Sequence, residues 1–234
     1  ADQVRLLARE QGFLPEIPDA LLDEVTALVE SPRAVLGTFD EAFLEVPAEV
    51  LIETMQKNQK YFPVRDQHGA LQAKFVAIAN IDSLDPSQVR KGNERVIRPR
   101  FADAKFFWEQ DQRRPLADYF VNLESVVYQD QLGSVADRCR RVERLAGEVA
   151  ALMGEETLLA RRAALLSKCD LVTAMVGEFP SLQGTMGRYY AGLAHEDPVV
   201  CQAIEEHYLP RYSGDVLPGT GVGRALALAD RLDL

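Results

Sequence analysis

The apolar positions in the first third of the chain alternate between helical and extended spacing. Helical spacing runs through ALLDEVTALVE and AEVLIETMQKNQ, whereas RAVLGTF, YFPVRD and KFVAIANI are typical of strands. The residues QHGA separate the last two segments and predict a β-hairpin between them. We therefore expect a small mixed region of helices and strands at the start of the chain.

Beyond about Asp85 the pattern is helical, and no further strands are expected. Asp85 suits the start of a helix, and Pro99 is expected to interrupt that helix before RFADAKFFWEQD resumes it. Another helix is predicted from Ser134, which has the Ser-x-x-Asp spacing of a capping box, to Gly154, which suits a left-handed cap.

The later segments indicate a helical bundle. EETLLARRAALLSKCDLVTAMVGEF is apolar around most of its circumference, which is typical of one central helix. Helical patterns continue to the final segment, GRALALADRLDL. The predicted fold class is α+β, with a mixed α/β region over residues 1–130 and a mainly α-helical domain over residues 131–234.

The composition is that of a globular protein with a sizeable core and an acidic surface. Hydrophobic residues make up 47% of the chain, and the formal net charge is −10. This charge disfavours wrapping of nucleic acid by the whole surface, but it allows a local basic patch. No apolar run approaches about 18 residues, so no membrane span is expected.

Cysteine and histidine do not suggest a metal site. Cys139, Cys169 and Cys201 are far apart among apolar helical neighbours, which favours reduced core thiols of a cytoplasmic protein. The sequence has no CxxC pair and only three histidines. We therefore expect no metal site built mainly from these two residue types.

One segment combines cations with aromatic residues: KGNERVIRPRFADAKFFWEQD, residues 91–111. Residues 90–105 contain six cations and two anions. Arginine suits phosphate because its planar fork can bond two oxygens at once. The candidate RNA-binding residues are Arg90, Lys91, Arg95, Arg98 and Arg100.

The same segment allows other interpretations. Its aromatic residues are expected to lie in the core. Its arginines either contact RNA or another subunit, or pair within the chain with Glu94, Asp103, Glu109 and Asp111. The sequence leaves these alternatives for the arginines open.

Three other features have ordinary structural interpretations. A second set of arginines is expected to form a solvated or acid-paired helix face: Arg138, Arg140, Arg141 and Arg144. His207 is expected to be a helix-end or core histidine. The segment GDVLPGTGVGR lacks the GxxxxGK[ST] arrangement of a phosphate loop and is predicted to be a flexible connector.

Six longer segments carry a family resemblance. In chain order they are KNQKYFPV, VRKGNERVIRPRFADAKFFWEQD, LGSVADR, CDLVTAMVGEFPSLQGTMG, AIEEHYLP and ALADRLD. Over residues 24–234 the chain resembles the β subunit of bacterial glycyl-tRNA synthetases. Chains of that family are much longer, and both ends of this one have the pattern of an interrupted helix, so a central fragment is expected.

The resemblance implies a ligase built from two α and two β subunits, which attaches glycine to its tRNA using ATP. It implies that the α subunit holds ATP and magnesium, so no cofactor and no catalytic residue are expected in this chain. The implied partners are the α subunit and glycine tRNA, and the implied location is the cytoplasm. The chain itself would be a non-catalytic part that contributes tRNA binding and assembly with the α subunit.

The helical domain also resembles the HD phosphohydrolases, in which a His-Asp dyad binds a divalent metal. Here either Ser167-Lys168 or Cys169-Asp170 falls at the dyad position, and only His207, Asp230 and Asp233 keep equivalent residue types. The resemblance therefore implies a degenerate metal motif and no metal. Two alternative functions remain: a residual phosphohydrolase with magnesium held loosely by Asp170 and Asp230, and a purely structural scaffold.

Overall fold

The computed structural model describes residues 1–233, and within them the chain forms two compact units. The first unit is Ala1–Trp108 and the second begins at Glu109. The predicted fold class is confirmed: a small antiparallel sheet with helices is followed by a mainly helical part. The predicted boundary near residue 130 and the HD-like character of the helical part stay predictions.

The first unit contains four strands, three helices and the start of a fourth helix. Its strands are β1 (Leu14–Pro15), β2 (Arg33–Thr38), β3 (Phe62–Arg65) and β4 (Leu71–Ala79). Its helices are α1 (Asp2–Glu10), α2 (Asp19–Leu28), α3 (Ala48–Glu53) and the start of α4 (Pro86–Asp111). A 3-10 turn, Glu41–Glu45, precedes α3, and a π-helical turn, Thr54–Asn58, continues it.

The four strands form one antiparallel sheet in the order β1-β3-β4-β2. The predicted hairpin is confirmed as β3 and β4. The apolar faces of α1 and α2 share one core cluster with the sheet. Its buried members are Val4, Ala8, Leu21, Val25, Phe62, Val64 and Val76.

Gly37 makes room for an aromatic ring on this sheet. It lies opposite Phe75 in the β2–β4 register, and the Phe75 ring occupies the space where a side chain at position 37 would project. Phe75 is fully buried, and its ring stacks on Tyr61 with centroids 4.5 Å apart. A glycine is therefore required at this point by packing rather than by backbone conformation.

Over residues 109–233, the second unit contains six helices after α4 and one short hairpin. The helices are α5 (Val135–Met153), α6 (Thr157–Leu166), α7 (Ala174–Glu178), α8 (Thr185–Leu193), α9 (Pro198–Glu206) and α10 (Gly221–Leu232). The hairpin is β5 (Val127–Gln129) with β6 (Gly133–Ser134). The expectation of no strands after Asp85 was therefore wrong.

The boundaries of α5 agree with the sequence analysis. Ser134 and Asp137 form the predicted capping box, and Gly154 ends the helix with φ 74°. The single helix predicted over EETLLARRAALLSKCDLVTAMVGEF is wrong, because α6 ends at Leu166 and the chain continues as a 3-10 turn and then α7. Cys139, Cys169 and Cys201 are free and buried, as expected.

Asp111 is a buried carboxylate that links three groups of the second unit by hydrogen bonds. One oxygen accepts from the Ala174 amide, and the other accepts from the Met175 amide and the Tyr190 hydroxyl, each at 2.9 Å. These bonds satisfy amides at the start of α7 that have no partner within the helix. Among the described residues, no helix is long and apolar enough to cross a membrane.

Candidate nucleic-acid interface

The candidate cations lie on α4, whose start follows the sequence. The Asp85 carboxylate accepts from the Ser87 amide at 3.0 Å, and Pro86 takes the first helical position, where its missing N–H has no cost. The helix does not stop at Pro99, so the predicted interruption was wrong. Pro99 is exposed and lies inside a helix that continues to Asp111.

One face of α4 is buried in the first unit. Ile97, Phe101 and Ala104 follow the i, i+4, i+7 spacing of a helical face, and all three are fully buried. The Phe101 ring meets Phe39 edge-on, with centroids 4.8 Å apart, and lies 5.6 Å from Phe43. The prediction that Phe101 belongs to the core is confirmed.

Polar contacts fix the same helix beside its buried face. The Glu94 carboxylate accepts from both the amide and the hydroxyl of Thr38, each at 3.0 Å. The Tyr61 hydroxyl donates to Asn93 Oδ1 at 2.7 Å. Glu94 therefore bonds β2, and the predicted alternative in which it pairs with an arginine of α4 is not what the structure has.

The five candidate cations share one property: all are exposed. They are Arg90, Lys91, Arg95, Arg98 and Arg100. Within residues 1–233, none of the five forms an ion pair, a side-chain hydrogen bond or a cation–π contact. By contrast, Lys105 on the same helix binds Glu45 at 2.7 Å.

Helical spacing divides the five cations between different faces. Lys91, Arg95 and Arg98 follow i, i+4, i+7 and lie on one side, which we call the cationic stripe, about a third of a turn from the buried face. Arg100 lies on the opposite side of α4 from this stripe. Arg90 is in line with the buried face but sits in the second turn of α4, where it is exposed.

The cationic stripe is unfavourable for the isolated helix. Like charges at i, i+3 or i, i+4 on a helix surface destabilise it by about 0.2–0.5 kcal/mol per pair. Neither pair, Lys91–Arg95 or Arg95–Arg98, has an acidic side chain bonded to it in the described chain. An external polyanion would remove this repulsion and gain charge-assisted bonds to the two guanidinium groups.

The aromatic residues at the end of α4 are less buried than predicted. Phe106 is 54% exposed and its ring contacts Phe107, with centroids 5.8 Å apart, while Phe107 and Trp108 are half-buried. The expectation of a core position was therefore wrong for Phe106. It lies on the same side of α4 as the cationic stripe.

The second set of arginines, on α5, is paired within the chain. Arg138 binds Asp230 at 3.2 Å and Arg141 binds Asp233 at 2.8 Å. Arg140 binds Glu124 at 2.7 Å. The prediction of an acid-paired helix face is confirmed for these three arginines.

The polar groups considered for a metal lie in the second unit and are bonded to other groups. Asp170 is fully buried, and one of its oxygens accepts from the amides of Gly184 at 2.6 Å and Gly187 at 3.1 Å. Asp230 binds Arg138 and also lies 3.4 Å from the Lys168 ammonium. Burial raises the pKa of Asp170 to about 6.

These residues do not fit a divalent metal site. Within residues 1–233, no group of three or more His, Cys, Asp or Glu side chains is placed to hold a metal ion. His207 is fully buried after α9, as a core histidine is expected to be, and its Nε2 lies 2.7 Å from the Lys168 ammonium. Lys168 was not predicted as a member of this group, although a lysine among Leu165, Leu166 and Cys169 indicates a buried charge.

Comparison with known proteins gives one consistent family. The family model described as the glycyl-tRNA synthetase beta subunit matches residues 1–234. The glycine–tRNA ligase beta subunit of Dichelobacter nodosus is 52% identical over 235 residues, which cover 99% of this chain and 34% of the relative. The corresponding subunit of Stutzerimonas stutzeri is 52% identical over 233 residues, covering 100% of this chain and 34% of the relative.

A third relative, from Neisseria meningitidis, is 52% identical over 215 residues, which cover 92% of this chain and 31% of the relative. The chain thus spans about a third of the length of the curated relatives it matches. Because the match extends over its whole length, the chain belongs to the family of glycyl-tRNA synthetase β subunits.

Proposed function

We propose that this chain is a non-catalytic part of a glycine–tRNA ligase β subunit that binds glycine tRNA. In this proposal the chain acts in the cytoplasm within an assembly of α and β subunits, and the α subunit provides the site for ATP, magnesium and glycine. The contribution to catalysis is positional: energy gained from binding the body of the tRNA holds its 3′ end at the active site of another subunit.

The observation that supports this proposal is the set of five exposed and unpaired cations on α4. An acidic chain has many carboxylates available, and it uses them for Lys105, Arg138 and Arg141 but not for these five. Arginines that are held on a rigid helix and left without partners are suited to phosphate oxygens.

The cationic stripe is the part of the set best arranged for an RNA backbone. Lys91 and Arg98 are separated by about 10 Å along the helix axis, so the stripe can meet neighbouring phosphates of one strand. The major groove of an A-form RNA duplex is too deep and narrow to admit a protein α-helix. Proteins therefore recognise such a duplex through its phosphates and 2′-hydroxyls. The stripe is therefore expected to bind RNA with little sequence preference.

The test compares two charge-reduced variants of the full chain in binding to glycine tRNA. Lys91→Ala/Arg95→Ala/Arg98→Ala removes the cationic stripe, and Arg90→Ala/Arg100→Ala removes two exposed cations that lie off it. We expect the first variant to bind at least tenfold more weakly, with the slope of log K against log salt reduced by about two to three. The second is expected to lose less affinity and less of the slope.

Two results would contradict parts of this proposal. If the first variant remains folded and binds glycine tRNA with unchanged affinity and salt slope, the stripe has no role in RNA binding and the scaffold function is favoured. Equal losses in the two variants would keep RNA binding by α4 but contradict its assignment to one face. Circular dichroism and thermal unfolding of both variants check that the helix is retained.

A further inference from the structure

Lys168 is a buried lysine in the second unit. It follows α6, and only 6% of its surface is exposed. A buried ammonium costs several kcal/mol of hydration unless other groups compensate. The contacts around its Nζ atom therefore show which groups compensate for the lost hydration.

The first contact is with His207, and its geometry fixes which atom donates. His207 Nδ1 lies 2.6 Å from the Ile204 carbonyl oxygen, which can only accept, so Nδ1 carries the proton. Nε2 then has a lone pair, and Lys168 Nζ, at 2.7 Å, donates to it. Burial and the nearby Lys168 charge hold the pKa of His207 well below its usual value, so this imidazole is a neutral acceptor.

Two further groups face the same nitrogen. The Asp230 carboxylate on α10 lies 3.4 Å from Nζ. The ring of Tyr208 presents its face to the nitrogen, with the centroid 4.1 Å away. An imidazole lone pair, a carboxylate and an aromatic face are three types of group that attract a cation.

We propose that His207, Asp230 and Tyr208 form a cation site whose occupant is the chain's own Lys168 ammonium. The site takes a primary alkylammonium, since two consecutive residues at the end of α9 and a carboxylate of α10 converge on one –NH₃⁺ position. Imidazole and carboxylate are also ligands for divalent metals. Their use by Lys168 gives a physical reason why these residues do not fit a divalent metal.

The proposal is tested by removing the occupant and supplying it from solution. Lys168→Ala deletes the part of the side chain that corresponds to n-propylammonium. We expect this variant to unfold at a lower temperature than the wild type, and n-propylammonium chloride to raise its midpoint by several degrees. Sodium chloride at equal concentration and the neutral analogue n-propanol are expected to have no such effect on the variant.

A matched variant separates charge from volume. Lys168→Met fills the same space without a charge, so n-propylammonium is expected to leave its midpoint unchanged. If n-propanol stabilises Lys168→Ala as much as n-propylammonium does, the site recognises volume and the proposal is wrong. It is equally wrong if a folded Lys168→Ala variant has the wild-type midpoint.

A second measurement uses the wild-type chain and does not depend on any variant folding. Nitrogen-15 NMR is expected to show His207 protonated at Nδ1 and the Lys168 ammonium protons protected from exchange with water. Protonation of His207 at Nε2, or exchange of the Lys168 protons as fast as that of surface lysines, would overturn the proposal. Neither experiment involves RNA, so its result is independent of the function proposed for α4.

Discussion

At the scale of single residues, the buried carboxylate of Asp170 has the clearest consequence for stability. Its two acceptor bonds, to Gly184 and Gly187, use one oxygen, while the other is buried without a partner. Burial disfavours its charged form and raises its pKa from 3.8 to about 6. The folded chain therefore holds the Asp170 proton more tightly than the unfolded chain does.

We predict that Asp170→Asn changes the pH dependence of stability between pH 4 and pH 6. The stabilising effect of protonated Asp170 is fully present below its unfolded pKa and is lost as pH rises through its folded pKa. The free energy of unfolding of the wild type, minus that of the variant, should fall by an amount on the order of 3 kcal/mol over this range and stay level above it. Urea unfolding at a series of pH values measures the free energy of unfolding of the wild type and of the variant.

The wild type must be compared with the variant, because His207 changes the stability of both with pH and in the opposite direction to Asp170. Its pKa is lowered by burial, so its contribution is present above pH 6.5 and is lost as pH falls. A control is Asp215→Asn, since Asp215 is exposed and bonds to backbone amides lower its pKa. That variant should differ from the wild type by a constant amount from pH 5 to pH 7. If the difference in unfolding free energy between the wild type and Asp170→Asn does not change between pH 4 and pH 6, the pKa of Asp170 is not raised.

The sequence was sufficient to select the five candidate cations but not to describe their surroundings. Local charge balance identified Arg90 to Arg100 as a basic segment. Whether each arginine has an acidic partner depends on contacts between distant residues, such as Glu94 with Thr38 across 56 positions. The same limit applied to Asp111, which was considered a partner for arginines but instead bonds amides 63 and 64 positions away.

At the scale of secondary structure, the helices with local start and stop residues were predicted well. The capping box at Ser134 and the glycine at position 154 act through neighbours in the chain, so both ends of α5 could be predicted. The end of α6 could not, because Ser167 bonds the Ala164 carbonyl and Thr173 starts a new helix through its hydroxyl. Serine and threonine form such local bonds in several conformations, so their presence does not predict a break.

Pro99 shows why α4 was predicted as two helices. A proline inside a helix removes one backbone hydrogen bond and crowds the carbonyl four residues before it, at a cost of about 3 kcal/mol. The burial of Ile97 and Phe101 on either side of it holds the helix together across this defect. Tertiary packing thus overrides a local preference.

We predict that Pro99→Ala raises the free energy of unfolding by roughly 1–3 kcal/mol, because the alanine amide can donate to the Arg95 carbonyl. Chemical denaturation measures the change. Pro86→Ala is the matched control, since Pro86 occupies the first position of α4, and a change within about 0.5 kcal/mol is expected there. A loss of stability in Pro99→Ala would mean that the proline ring makes packing contacts worth more than the missing hydrogen bond.

At the scale of the whole molecule, the chain divides at a point that local patterns do not mark. From the sequence, the boundary between the mixed region and the helical domain is predicted near residue 130. The compact units divide between Trp108 and Glu109, inside α4, and the boundary near residue 130 stays a prediction. A continuous helix gives no change of pattern at such a point, so only contacts distant in sequence can locate it.

Residues 109–130 contain buried groups of the second unit. Leu116, Tyr119 and Leu123 lie on a 3-10 helix, Leu116–Ser125, and all three are buried. The Tyr119 hydroxyl donates to the Asp111 carbonyl at 3.1 Å, while the Asp111 side chain bonds the start of α7. The segment therefore supplies both apolar core and a buried hydrogen-bonded carboxylate to the helical part.

Two fragments distinguish the boundaries, and we predict that only the longer one folds cooperatively. A fragment of residues 109–234 retains Asp111 and the three buried side chains, so it should give a helical circular dichroism spectrum and a sharp thermal transition. A fragment of residues 131–234 loses them. The loss of Leu116 and Leu123 alone removes burial worth about 1.5–3 kcal/mol each, which is a large part of the stability of a small domain. It should therefore unfold over a broad range or aggregate, and equally sharp transitions of equal midpoint would instead support the boundary near residue 130.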